Sequence, residues 1–211
     1  FLTCAMFSNV GYIGAFVAFA FFGESGYGLG VWYLIYFSPL FYLVGMTVAK
    51  RFGQSTAAST SASPFSDELR LRAFLGMALG LLLNITKCPR PEILGAINHV
   101  FIPVDTAIHL MAIGSQIRLE PPTQSWRHGV AMSAIKFFYS PLVAWVLAWA
   151  LHLDGLPRFI ILLQASMPVA VSPLMLSVIF RLDRTLSSSL WLWTTFLAIP
   201  WLFLYLPLIR R

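Results

Sequence analysis

The sequence predicts an all-α membrane protein that crosses the bilayer several times. Of its 211 residues 58% are hydrophobic and only 10% are charged, and the mean hydropathy is +0.78. A soluble domain has about 25% charged residues, so this chain has too few to cover a water-exposed surface. The composition therefore excludes an ordinary soluble domain and a disordered chain. The formal net charge of +6 does not indicate a nucleic-acid partner, because the basic residues lie in pairs between apolar runs.

Seven apolar runs are long enough to cross the hydrocarbon layer as helices, which takes about 20 residues each. They comprise residues 1–22, 25–49, 69–86, 93–117, 129–151, 159–180 and 185–209. The strands of an outer-membrane barrel would instead alternate in hydropathy over about 10 residues. The first run begins at Phe1, without a Met and without the basic residues of a signal peptide. We therefore expect an N-terminally truncated sequence that begins inside a helix.

A polar stretch at residues 54–66 (QSTAASTSASPFS) separates the second run from the third and predicts a flexible linker. The loops on the side of this linker carry more basic residues than the loops on the other side. The residues on the linker side are Lys50, Arg51, Arg70, Arg72, Arg118, Arg127, Arg181 and Arg184. Because basic loops favour the cytoplasm, we expect the linker there and the protein in the plasma (inner) membrane.

Two stretches, residues 4–51 and 163–211, share one layout: an interrupted apolar helix, a break, and a helix that ends in a basic pair. Their offset is about 158–160 residues, which predicts a five-helix repeat whose second copy is inverted. Residues 1–52 are then the last two helices of a first repeat, 53–66 the linker, and 67–211 a complete second repeat. The whole fold would have ten helices, three of them upstream of Phe1. The alternative is that any two membrane hairpins look alike.

Each repeat carries a motif that weakens its interrupted helix. In the first, Asn9 offers a hydrogen-bond donor and an acceptor, while Gly11 and Gly14 permit close approach of another backbone. In the second, Pro168 and Pro173 each remove a backbone N–H and leave carbonyls unpaired.

Irregular backbone of this kind is tolerated at membrane depth only where protein or a watery cavity satisfies it. A packing feature or a simple proline kink is the alternative for either motif alone. Their matching positions favour a substrate site where the two helices cross. The predicted crossover site comprises Asn9, Gly11, Gly14, Gln164, Pro168 and Ser172.

Asp105, Lys136 and His109 are ionisable residues inside the predicted spans, where each is costly unless it faces protein or water. Asp105 is predicted to carry a coupling proton or to anchor neighbouring helices through a basic partner. Lys136 is the expected partner, and the alternative is that its ammonium extends to the cytoplasmic interface. His109 lies four residues from Asp105 on the same helix face, as part of a proton relay or as a packing residue.

The motifs resemble one known family. SNVGYIGAF is similar to the Asn-x-Gly-x-x-Gly-x-Pro signature of the first interrupted helix in the auxin efflux carriers, and SMPVAVSPL to their Met-Pro-x-Ala-x-Asn signature in the second. LGMALGLLLNITKCPRPEIL and FIPVDTAIHLMAIGSQI resemble the sixth and seventh of the family's ten helices. The likeness covers essentially the whole chain, and the short linker is typical of prokaryotic or short-loop members. Phe16 and Ser172 depart from the family's usual Pro and Asn.

The resemblance implies export or exchange of a small organic anion, such as an auxin-like acid or a dicarboxylate, by elevator-type alternating access. Two alternatives stay open: a sodium-coupled symporter of the bile-acid type with a similar fold, and a membrane sensor or scaffold that transports nothing. No nucleophile–base set, phosphate loop or metal-spaced cluster indicates an enzyme. We expect no cofactor beyond a coupling proton or sodium ion. The expected partners are the organic anion and the lipid bilayer, without nucleic acid, and a homodimer stays open.

Overall fold

The computed structural model describes residues 1–53, 67–89, 91–114 and 126–209. Regular structure in these ranges is helical, which confirms the predicted all-α class. The helices are α1 Leu2–Met6, α2 Ala15–Leu40, α3 Met46–Phe52, α4 Asp67–Ile85, α5 Glu92–Gly114, α6 Trp126–Ala134, α7 Ser140–Ala150, α8 Gly155–Ala165, α9 Ser172–Ile179 and α10 Arg184–Ile209. Wider π-helical turns join several of them, at Val10–Gly14, Phe41–Gly45 and Ile135–Tyr139. The predicted linker, residues 54–66, lies outside the described residues.

The first arm of the fold, residues 1–53, consists of an interrupted helix followed by a long helix. The chain leaves α1, passes through the non-helical residues 7–9, and enters the π-helical turn that continues into α2. Gly23 breaks α2 with φ +62° and ψ −155°, a conformation that suits glycine because it lacks a Cβ. The break that the sequence predicts between the two helices of this stretch therefore lies at Gly23.

The second arm, residues 155–209, repeats this layout. Helix α8 ends at Ala165, six non-helical residues follow, and α9 begins at Ser172. A tight turn then leads into α10, whose start is capped by Asp183: its Oδ1 accepts a hydrogen bond from the Leu186 N–H at 2.9 Å.

Three helical stretches in the described residues are long and apolar enough to cross a membrane without interruption. They are Glu92–Ala112, Trp126–Ala150 and Arg184–Pro207. Several large apolar side chains on these stretches point outward, among them Trp149 at 70% and Phe203 at 75% exposure. Such surface is stable against lipid and costly against water, so the chain is an integral membrane protein.

The chain forms two compact units. One comprises Phe1–Ser55 with Phe101–Arg211, and the other comprises Thr56–Val100. The core of the first unit contains three clusters of buried residues, which include Val169, Ala170 and Met167 respectively. These three residues belong to the interruption between α8 and α9, so the break contributes to each cluster.

Candidate functional site

The interruptions of the two broken helices meet inside the first unit. We call residues 7–9 the first break and residues 166–171 the second break. The Asn9 N–H donates to the Pro168 carbonyl oxygen at 2.8 Å, and the Ala170 N–H donates to the Phe7 carbonyl oxygen at 3.0 Å. These bonds make an antiparallel bridge between Ser8 and Val169. Backbone groups that would form helical hydrogen bonds in a continuous helix thus bond between the two breaks. We call this contact the crossover.

Local sequence explains why the first helix stops here. Phe7 is extended, with φ −109° and ψ 124°, and Asn9 has φ −77° and ψ 58°. Asn9 also caps the helix that follows, since its Oδ1 accepts a bond from the Ile13 N–H at 3.4 Å. At the second break, Pro168 has no N–H to donate, so its neighbourhood cannot continue the helical ladder. Asn9 and Pro168, which both belong to the crossover site predicted from the sequence, are thus the residues that interrupt the two helices.

A residue that the sequence reasoning missed completes the second break. Thr194 of α10 is fully buried, and its Oγ1 accepts a hydrogen bond from the Val169 N–H at 3.1 Å. The same hydroxyl donates to the Leu190 carbonyl at 2.8 Å. The only sequence signal was a hydroxyl residue in the middle of an apolar span.

The structure places Lys136 at the first break and not beside Asp105. Its Nζ donates to the Ala5 carbonyl oxygen and to the Ser8 Oγ, both at 2.9 Å. The residue is only 1% exposed, so the ammonium does not extend to the membrane interface either. The predicted pairing with Asp105 and the alternative, extension to the cytoplasmic interface, are therefore both wrong. The observed contact joins residues more than 100 positions apart, which local spacing does not predict. Ser8, which lay inside the motif but outside the predicted site, is part of this arrangement.

Three predicted site residues present buried polar atoms that have no hydrogen-bond partner among the described residues. Besides the side-chain amide of Gln164, these atoms are the Asn9 Nδ2 and the Ser172 Oγ. Asn9 precedes the helical segment after the first break, and Ser172 is the first residue of α9 after the second. Each stands at the start of a half-helix, where backbone N–H groups also point toward the break. The crossover therefore carries unused hydrogen-bond donors at the start of both half-helices.

Gln164 lies at the end of α8, two residues before the second break, and packs against glycines. A Cβ added at Gly14 would overlap its Oε1, and a Cβ added at Gly30 would lie 2.9 Å from its Nε2. The side chain is 1% exposed, and neither amide atom has a partner among the described residues. Gly14 and Gln164 are thus in direct contact, whereas Gly11 faces Leu34, whose Cδ2 would lie 3.1 Å from an added Cβ.

Asp105 and His109 are neighbours on one face of α5, as the spacing predicted. The His109 Nδ1 lies 3.3 Å from the Asp105 Oδ1 and 2.8 Å from the Asp105 main-chain oxygen. The His109 ring stacks on Tyr12, with ring centroids 4.8 Å apart. Tyr12 belongs to the π-helical turn after the first break, so the acid–imidazole pair touches the crossover helix through one aromatic ring.

Comparison with known proteins agrees with the motifs. The model of the family described as membrane transport protein matches residues 68–206. An uncharacterized transporter of Methanocaldococcus jannaschii is 25% identical over 196 residues, which is 91% of this chain and 62% of that protein. The chain thus spans about three fifths of the length of this curated relative. No solved structure matches the chain significantly.

The family match extends over more than half of the chain, including the second break and most of α10. The relative is similar along nearly all of the chain. The chain therefore belongs to the membrane transport protein family, that of the auxin efflux carriers.

Proposed function

We propose that the protein is a secondary transporter that moves a small organic anion, such as an auxin-like acid or a dicarboxylate, across the membrane. One observation carries this proposal: the two helix breaks meet, through the Asn9–Pro168 and Ala170–Phe7 hydrogen bonds. Interrupted helices that meet in this way are typical of transporters that bind their substrate near the middle of the bilayer. Membership of a transport family supports the same conclusion.

The polar groups at the crossover suit an anion. The Asn9 Nδ2 and Ser172 Oγ are buried donors without partners among the described residues. A buried donor left unpaired costs about 1–3 kcal/mol, which a substrate carboxylate would recover by accepting its hydrogen bond. The half-helix that begins at Val10 and helix α9 add the positive ends of their backbone dipoles. The buried ammonium of Lys136 adds positive charge beside the first break.

We propose that the two arms are the matching parts of two inverted five-helix repeats. Residues 1–52 would close the first repeat, residues 53–66 would link the repeats, and residues 67–211 would form the second. The shared order of broken helix, turn and long helix supports this division. Alternating access would then be of the elevator type, in which the helices that carry the crossover move as one body.

Asp105 and His109 are the proposed coupling pair. A carboxylate and an imidazole within 3.3 Å can hold and pass a proton, and Tyr12 connects them to the helix of the first break. Coupling to a proton gradient is therefore the form of energy input that the described contacts support.

Flux in proteoliposomes tests the proposed function. The full-length protein is reconstituted into liposomes that contain unlabelled anion. Uptake of radiolabelled indole-3-acetate or malate is then measured and compared with uptake by protein-free liposomes. We expect uptake to be saturable and to be faster when unlabelled substrate is present inside the liposomes. Uptake equal to that of protein-free liposomes for all organic acids tried would contradict transport and favour the sensor or scaffold.

A further inference from the structure

The first break leaves the Ala5 carbonyl oxygen without its helical donor. In a continuous helix, the Ala5 oxygen would accept the N–H of the residue four positions later, which is Asn9. The Asn9 N–H instead donates across the crossover to Pro168. The Ala5 oxygen accepts from the Lys136 Nζ at 2.9 Å in its place. A side-chain ammonium therefore occupies the position at which the helical ladder is open.

The surroundings of this ammonium resemble those of a bound cation. Its two partners are a main-chain carbonyl oxygen and the Ser8 hydroxyl, and no carboxylate of the described residues forms an ion pair with Lys136. Carbonyl oxygens at unwound helix segments and half-helix ends are the ligands that transporters use for coupling ions such as Na⁺. The Lys136 Nζ thus has oxygen partners of the kind that bind such an ion.

The two breaks differ in this respect. At the second break a neutral hydroxyl, Thr194 Oγ1, takes up the free Val169 N–H. At the first break a charged group is buried to 1% exposure without a described countercharge. Burial of an unpaired charge is costly, and intramembrane lysines that bear this cost are usually functional. Lys136 lies in the π-helical turn Ile135–Tyr139, and such turns frequently occur at functional sites.

We propose that the Lys136 ammonium is a tethered cation that replaces an exchangeable coupling ion at the first break. Transport then needs no Na⁺, which separates this protein from the sodium-coupled symporters of similar design. The inference rests on the proposed transport function for its flux measurements. It also has a consequence for the purified protein that does not involve any substrate, namely which cations stabilise the fold.

The test compares two substitutions of Lys136 with a matched control. Lys136→Ala removes the charge and the side-chain stem, which opens a space beside the Ala5 and Ser8 oxygens. Lys136→Met removes the charge but fills most of that space. Lys87→Ala, at an exposed turn after α4, is the control. Melting temperature and anion flux of the full-length protein are measured in choline, sodium and ethylammonium chloride.

The wild type and Lys87→Ala should melt and transport equally in all three salts. In choline chloride, Lys136→Ala should have a lower melting temperature than the wild type and an anion flux that is at least about tenfold lower. In ethylammonium or sodium chloride, both its melting temperature and its flux should recover. Lys136→Met should lose flux without recovery. A purely structural lysine would give Lys136→Ala no preference among the salts.

Sodium-dependent flux or sodium-dependent melting of the wild type would overturn the proposal, and so would full flux by Lys136→Met. If Lys136→Ala does not fold, the sodium dependence of the wild type and the flux of Lys136→Met still test the proposal. If the wild type moves none of the anions, the proposed function fails, while the melting temperatures of Lys136→Ala still test the tethered cation: recovery in ethylammonium supports it, and no recovery overturns it.

Discussion

The Asn9 main-chain N–H donates to the Pro168 carbonyl oxygen at 2.8 Å, which joins two helix interruptions that lie 159 positions apart in the sequence. Asn9 forgoes its helical partner, and Pro168 has no N–H with which to continue its own helix. The two breaks therefore satisfy each other in a part of the chain where water cannot do so.

Thr194 and Thr195 offer a direct test of the hydrogen bonding at the second break. Thr194→Val should lower the free energy of unfolding by about 1–3 kcal/mol, because the buried Val169 N–H loses its acceptor. Thr195→Val should cost nothing, because the Thr195 hydroxyl is buried without a partner among the described residues. Unfolding of both variants in detergent provides the measurement. Equal destabilisation by the two changes would contradict this role of Thr194.

Gly14 is predicted to be needed for the space that Gln164 fills. Gly14→Ala should destabilise the protein by about 1–3 kcal/mol, since the new methyl group overlaps a buried amide that Gly30 confines from another side. Gly28→Ala is the control, because no atom lies within 4 Å of the added Cβ there. The double variant Gly14→Ala with Gln164→Ala should recover part of the loss relative to the sum of the single changes. Strict additivity in unfolding experiments would argue against the contact.

Asp105 is predicted to couple transport to the proton gradient. Asp105→Asn should abolish flux or make it independent of an imposed pH gradient, with an unchanged protein level in the membrane. Asp154→Asn is the matched control, since Asp154 is also exposed and its side chain forms no capping bond at α8. Proteoliposome flux with and without a pH gradient measures the effect. Full flux with normal pH dependence in Asp105→Asn would remove Asp105 from the mechanism.

The orientation of the chain can be read from its own cysteines. Cys88 is exposed in the turn after α4, whereas Cys4 is buried. The predicted topology places Cys88 on the side of the membrane opposite to the linker. With the linker in the cytoplasm, a membrane-impermeant maleimide added to intact cells should label Cys88. A Ser59→Cys substitution in a Cys88→Ser background should react only after the membrane is permeabilised. The reverse pattern would place the linker outside.

The helices and their interruptions were largely predictable from the sequence. Apolar runs of sufficient length determine where helices can cross the bilayer, and Gly23, Asn9 and Pro168 act on the backbone locally, so their effect is visible without a fold. The spacing of Asp105 and His109 was also sufficient to predict their contact, because residues four apart share a helix face.

Contacts between distant segments were not predictable in the same way. Lys136 was paired with Asp105 because opposite charges in a membrane are expected to meet, but the structure directs its ammonium to Ala5 and Ser8. Thr194 went unnoticed because one threonine in an apolar helix shows no periodic pattern. Both contacts depend on which helices pack around the crossover, and that packing is not encoded in local spacing.

The apparent KM of anion flux in Asn9→Ala and Ser172→Ala proteoliposomes tests the central claim most directly, with exposed Asn84→Ala and Ser25→Ala as controls. If the crossover binds the substrate, each loss of a buried donor should raise KM about tenfold, since a lost hydrogen bond to a charged group costs about 1.5–3 kcal/mol. The controls should leave KM unchanged. Wild-type KM in both Asn9→Ala and Ser172→Ala would contradict a substrate site at the crossover.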